Sequence, residues 1–312
     1  MRFVHPSVLT AFFWLLSQLV ASGQSSLDSL LTTLVTNNPY LRAGRSWVDS
    51  CQGVSRLPDS GTALGSLCPS TASKPICQSR QEMAISYQAL HLKIYRQARL
   101  TGLELIYQRK RLGEFINRQQ LIHQFSEALL WRNLTTLTNL GESEVSTLFL
   151  ALTEKRSQKE IAICRLQEEL DKLNGGQPIS VPDTIYPILP PANVLFGGSN
   201  VSSFIYPTYE EWRDRYILLK RVLNLYTDYL KTRPSLGSMI WEVRMGQLTP
   251  KGFIAHFGNV NELIDSRMRT ERDLHIAATY LLGYVRKPSQ LLPVSIGGKQ
   301  KRLTANPLIN KR

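Results

Sequence analysis

From Gln78 to about Thr136, apolar side chains recur every three or four residues. Met83, Tyr87, Leu90, Ile94, Ala98, Ile106, Leu112, Phe115, Ile122, Phe125 and Leu129 carry the pattern. That spacing places them on one face of a helix. At ~1.5 Å per residue, a helix of about 59 residues would span roughly 88 Å. Such a length exceeds an ordinary globular helix and points to a coiled-coil element, because a helix this long is stable only when neighbours cover its apolar face. Gly102 and Gly113 interrupt it, each weakening it by about 1 kcal/mol relative to Ala.

Further helical patterns surround it. Leu27, Leu30, Leu31, Leu34 and Val35 follow the i, i+3, i+4, i+7 rule. Asn38 is a good N-cap and Pro39 suits the first helical position, so a second helix is expected from there, with Leu41, Trp47 and Val48 on its apolar face up to Cys51. Residues 53 to 77 are rich in Gly, Ser, Pro and Thr, lack sustained alternation, and read as a loop. Ser143 is placed to cap a helix through Val145, Leu148, Leu152, Leu166 and Leu170, ended by Asn174-Gly175-Gly176. Residues 177 to 207, with Pro178, Pro182, Pro187, Pro190 and Pro191, read as an extended connector. Thr208 and Glu211 have the spacing of a capping box before a face of Trp212, Tyr216, Leu219, Leu223, Tyr226 and Leu230. Pro234 interrupts that face. Thr249 and Pro250 then open a last helix running through Phe253, Phe257, Val260, Met268 and Leu281. Two breaks therefore share one plan, Leu140-Gly141-Glu142-Ser143 and Gly246-Gln247-Leu248-Thr249: helix, glycine, capping hydroxyl, helix.

The N-terminus sets the expected compartment. Arg2 precedes an apolar run from Val8 to Val20, and Ala21-Ser22-Gly23 supplies small residues for cleavage. This is the pattern of a secretory signal peptide cut before Gln24. No later stretch has the ~20 apolar residues of a spanning helix, so entry into a membrane would require strands in a closed barrel. The chain carries 37 Lys+Arg against 24 Asp+Glu, a formal charge of +13. A secreted chain makes nucleic acid an unsuitable partner, and the excess reads as solvated helix faces plus a basic disordered tail from 288 to 312. In an oxidising compartment Cys51, Cys68 and Cys77 could supply one disulfide, with the pairing open. Cys164, beside Ile161, Ile163 and Leu166, reads as a buried small hydrophobe.

Nothing in the chain suggests catalysis. His91, His123, His256 and His275 lack metal-ligand spacing, the cysteines form no CxxC pair, and neither a nucleophile elbow nor a phosphate loop occurs. No enzyme activity, metal or cofactor is expected.

Taken in order, several motifs resemble the TolC-like outer-membrane efflux family, particularly its heavy-metal, CusC-like branch. Ser26-Leu27-Asp28-Ser29-Leu30-Leu31 and Asn38-Pro39-Tyr40-Leu41 resemble its first helix and Asn-Pro-x-Leu motif. Leu57-Pro58-Asp59 is similar to its early Leu-Pro-Asp stretch. Leu140-Gly141-Glu142-Ser143 and Gly246-Gln247-Leu248-Thr249 resemble the tip turns of its two repeats. Leu173-Asn174-Gly175-Gly176 with Val181-Pro182-Asp183 resembles the end of the first repeat, and Glu271 to Ala277 the last helix.

The resemblance implies a homotrimer in the outer membrane or periplasm, with a shared barrel and a shared helical tunnel. The function it implies is passive export of small molecules or metal ions. An inner-membrane pump and a periplasmic adaptor would dock at the tip, with Leu140, Gly141, Glu142, Ser143, Gly246, Gln247, Leu248 and Thr249 as candidate contacts. Residues 53 to 77 are short for two barrel strands of about 9–11 residues and lack their alternation. The family's acidic tip ring also has no counterpart, since Gly252 and Ala255 stand at comparable positions.

The expected fold is accordingly mainly α, with long antiparallel coiled-coil hairpins in two repeats and the barrel strands reduced or absent. Its organisation is a signal peptide (1–23), a first helical repeat (24–176), a connector (177–207), a shortened second repeat (208–287) and the tail. Two alternatives stay open: a periplasmic helical interaction protein of the same ancestry that has lost the channel, and an unrelated secreted helical protein.

Overall fold

A computed structural model describes residues 26–53, 73–131, 141–179, 181, 186–196 and 206–285. The leader, Cys68, Leu140 and the basic tail lie outside those residues. Among the described residues the chain is helical, with turns and short extended links and no strand. The helices are α1 (Ser26–Asn37), α2 (Pro39–Gly53), α3 (Ser73–Trp131), α4 (Gly141–Leu173), α5 (Ala192–Phe196), α6 (Tyr206–Lys231), α7 (Leu236–Met245) and α8 (Pro250–Val285).

The 59 residues of α3 form the spine. α1, α2 and α4 pack on one another or on α3, α6 packs on α8, and α3 and α8 pack together. Three apolar clusters follow the bundle axis. One joins Leu27, Leu31 and Leu34 of α1 to Ala98, Leu103 and Ile106 of α3 and Leu170 of α4. Leu27 lies so close that a Cβ at Gly102 would fall 2.5 Å from its Cδ1, so the glycine that weakens the isolated helix admits α1 here. A second cluster joins Phe115, Ile122 and Phe125 of α3 to Leu152 of α4, Val243 of α7, and Phe253 and Phe257 of α8. The Phe125 and Phe253 rings stack at 4.2 Å, and each fully buried ring contributes about 2–3 kcal/mol. A third joins Leu195 of α5, Tyr209 and Tyr216 of α6, and Leu274, Ala277 and Leu281 of α8.

Helix boundaries follow caps. Asn38 sits between α1 and α2, and its Oδ1 accepts the amides of Tyr40 and Leu41 at 3.0 and 3.1 Å. Gly175 and Gly176, at φ 69° and 82°, end α4, and the Gly176 amide returns to the Asp171 carbonyl at 2.8 Å. Ser235, not singled out by the sequence, caps α7 by accepting the Ser238 amide at 3.0 Å.

Several expectations are corrected. α2 reaches Gly53 and α3 starts at Ser73, so both ends of the segment read as a loop are helical. The expected continuation of α3 from Trp131 to about Thr136 lies outside the described residues. α6 starts at Tyr206, which puts Thr208 inside its first turn instead of at the N-cap of a capping box. Ser143 is also helical, because α4 already begins at Gly141; the Ser143 carbonyl accepts the Thr147 hydroxyl within the helix. The connector holds the short helix α5 and is partly pinned to α4. The Gln167 amide donates to the Ile179 carbonyl, and the Ile179 amide donates to Asp171 at 2.9 Å. Trp47 is 69 % exposed, off the face that buries Leu41.

Candidate functional site

A ladder of charged pairs sets how α3 and α8 run past one another. Lys110 meets Glu271 at 2.8 Å, Arg272 meets Glu104 at 3.4 Å, and Asp265 receives Arg118 at 2.6 Å and Arg111 at 3.1 Å. The Arg99 guanidinium donates to the Thr279 hydroxyl at 3.3 Å. Rising numbers on α3 meet falling numbers on α8, so the helices are antiparallel. Arg118 is 5 % exposed, and its guanidinium also reaches the Asn261 carbonyl. Tyr186 of the connector stacks on His275 at 4.6 Å. Burial first, then the nearby charges of Arg99 and Lys110, lower the His275 pKa to about 3. Burial, reinforced by Glu271, raises that of Tyr186.

This antiparallel arrangement brings the end of α3 to the α7–α8 turn. The Arg244 guanidinium lies over the Trp131 ring at 4.2 Å, within cation–π reach. Arg244 is two residues before Gly246, and Trp131 is the last described residue of α3. Both glycine breaks, at 141 and 246, therefore border one end of the bundle.

The second turn is built as its residue types require. Gly246 adopts φ 81°, ψ 11°, the left-handed region favoured by glycine. Gln247 and Leu248 amides close on the Glu242 carbonyl at 2.9 and 3.2 Å. Thr249 Oγ1 accepts the Gly252 amide at 3.1 Å, and Pro250 opens α8. Leu248 packs against the second apolar cluster, whereas Gln247 is exposed. Of the first break, Gly141, Glu142 and Ser143 form the first turn of α4, and Leu140 lies outside the described residues.

The sequence reading missed the large side chains around these turns. Leu130, Trp131, Trp241 and Met245 are 58 %, 71 %, 55 % and 57 % exposed. Their signal was present in the runs Leu129-Leu130-Trp131 and Met239-Ile240-Trp241, each too wide for one buried helical face. Indole and guanidinium groups are the side chains most often found at the energetic centre of protein interfaces. The end offers contact chemistry.

Among the described residues no group of His, Cys, Asp and Glu could hold a metal ion, and no helix is long and apolar enough to cross a membrane. Cys164 is corrected: its thiol is free and exposed. It follows Ile163, which packs inward, and one residue is a 100° turn on a helix. Cys51 and Cys77 lie on α2 and α3, but their side chains, like Cys68, lie outside the description, and with them the disulfide reading. Compared with known proteins, no family model matches the chain, and no curated protein and no solved structure is significantly similar to it.

Proposed function

We propose that this protein is a subunit of a TolC-like outer-membrane export duct, shortened relative to that family and working as a homotrimer. One observation carries the reading: the two breaks that resemble the family's tip turns border the same end of the bundle, where Arg244 covers Trp131. Motif order supports it, since Asn38-Pro39 and Asn174-Gly175 also abut, through the Asn38 side chain and the Leu173 carbonyl at 2.7 Å. In this reading α3–α4 and α6/α7–α8 are two coiled-coil hairpin repeats. The shared end, with Gly246 to Thr249, Trp131 and Trp241, receives a periplasmic adaptor, and substrate leaves passively.

A second reading keeps the hairpins and removes the channel, leaving a periplasmic helical interaction protein. The short helix α5 favours it, because it lies where a second strand pair would fall. Expression with the leader intact in a Gram-negative host separates the two. Recovery in outer-membrane fractions with heat-modifiable migration is the duct outcome. Recovery only as soluble periplasmic protein would exclude a duct.

A further inference from the structure

We propose that the recess between α3 and α8 at Arg96 binds the carboxylate of an unbranched fatty acid, whose chain lies along the adjoining groove of α3; this site is independent of the duct reading. Leu92, Tyr95 and Arg96 of α3 face Thr279 and Leu282 of α8 across the recess. Its volume is about 20 Å³, room for about one water-sized group. That suits the edge of a planar carboxylate better than a tetrahedral phosphate. Leu92 and Arg96 also line the groove, whose volume is about 520 Å³. Arg96 lies roughly 50 Å along α3 from Trp131, at ~1.5 Å per residue, so the site is separate from the shared end.

Arg96 is held ready for an anion. Its guanidinium lies over the Tyr280 ring at 5.2 Å, and Trp212 stacks on that ring at 4.1 Å. It also rests against Gly283, where a Cβ would fall 2.7 Å from Arg96 Nη2. The missing side chain leaves the guanidinium that place. Lys110, Arg111, Arg118 and Arg272, farther along the same helix pair, each meet a carboxylate. Among the described residues Arg96 meets none, and neither hollow is lined by Asp or Glu. A guanidinium fixed by its face presents its N–H edge, which matches the two oxygens of a carboxylate.

Arg99 adds a second cation one helical turn on. It is 8 % exposed, lines the same recess and donates through Nε to the Thr279 hydroxyl at 3.3 Å. Its charge is felt at His275, where it adds to burial in lowering the pKa. The groove supplies the apolar part of the site. From Arg96 it passes Leu92 to Ala89, roughly 10 Å of helix at ~1.5 Å per residue. The aliphatic stem of Lys93 borders that path, as long basic side chains border apolar surface elsewhere.

Isothermal titration of the full mature chain with decanoate, kept below its micelle concentration, tests the site. One decanoate per chain is expected, with a dissociation constant on the order of 100 µM. Decanol lacks the charge and acetate lacks the chain, and each should bind at least about tenfold more weakly. Gly283→Ala displaces the Arg96 fork and Arg96→Gln removes it; each should weaken decanoate by about tenfold at unchanged helicity. Arg221→Gln, at an exposed position of α6, is the control for lost charge and should bind as the wild type does. If Gly283→Ala fails to fold, Arg96→Gln against Arg221→Gln decides alone. Decanol binding as tightly as decanoate, equal losses in Arg96→Gln and Arg221→Gln, or no decanoate heat at millimolar concentration would each overturn the inference.

Discussion

The Asn38 side chain donates to the Leu173 carbonyl at 2.7 Å while its oxygen caps α2, so one amide group joins the end of α4 to the start of α2. It is 2 % exposed, so water cannot replace either bond. Asn38→Ala should cost about 2–3 kcal/mol, the sum of a lost N-cap and a buried carbonyl left without its partner. Asn38→Asp is the sharper variant. Aspartate caps helices well, but here its carboxylate would face a carbonyl at the negative end of α4. Urea unfolding should find Asp no better than Ala. Full stability in N38D would mean that the Leu173 bond contributes nothing.

Two adjacent glycines should respond differently. A Cβ on Gly175 would fall 2.5 Å from the Asn37 carbonyl oxygen, at φ 69°, whereas Gly176, at φ 82°, meets nothing within 4 Å. Gly176→Ala should carry only the left-handed penalty, about 1–2 kcal/mol. Gly175→Ala adds displacement of the α1–α2 junction and should be clearly the worse of the pair in thermal unfolding. Equal losses would indicate that the junction yields freely.

Asp265 holds two arginines, of which Arg118 is nearly inaccessible. Removing the carboxylate strands that buried cation, which typically costs about 3–5 kcal/mol. Replacing the cation by an apolar chain of similar length removes the desolvation burden too. Asp265→Ala should therefore destabilise more than Arg118→Met in denaturant titrations. The reverse order would show that the pair does not set the α3–α8 packing.

His275 predicts an acid-side loss of stability. Its folded pKa of about 3 lies below the ordinary value of 6.5, so between those values the unfolded chain takes up a proton that the folded chain refuses. Stability contributed by the neutral ring is complete above about pH 6.5 and falls toward pH 3, by up to ~1.4 kcal/mol per pH unit. His275→Phe keeps a ring against Tyr186 and should flatten that slope in unfolding measured from pH 7 to 4. An unchanged slope would assign the acid sensitivity to other groups.

Much of this fold could be read from periodicity and caps. Leu27, Leu31 and Leu34, the Asn38 cap, the Gly175-Gly176 stop, and the Gly246–Pro250 turn all declare themselves locally, because the residue types match the backbone geometry they adopt. The loop and connector edges misled because Ser73 and Tyr206 open helical stretches inside Ser/Pro-rich composition, which reads locally as a loop. Cys164 misled because neighbours in sequence point 100° apart on a helix. The charged ladder was invisible for another reason. Lys110 and Glu271 are 161 positions apart, and nothing local pairs them. The two tryptophans at the shared end sit outside the buried stripe, and a search for core spacing passes over them.

In the duct proposed for it, this chain is one of three copies around a shared tunnel. Mass measurement of the mature full-length protein, extracted from membranes in mild detergent and corrected for bound detergent, tests it most directly. The account predicts three times the chain mass, at micromolar protein and without crosslinker. A single-chain mass throughout that range would contradict it.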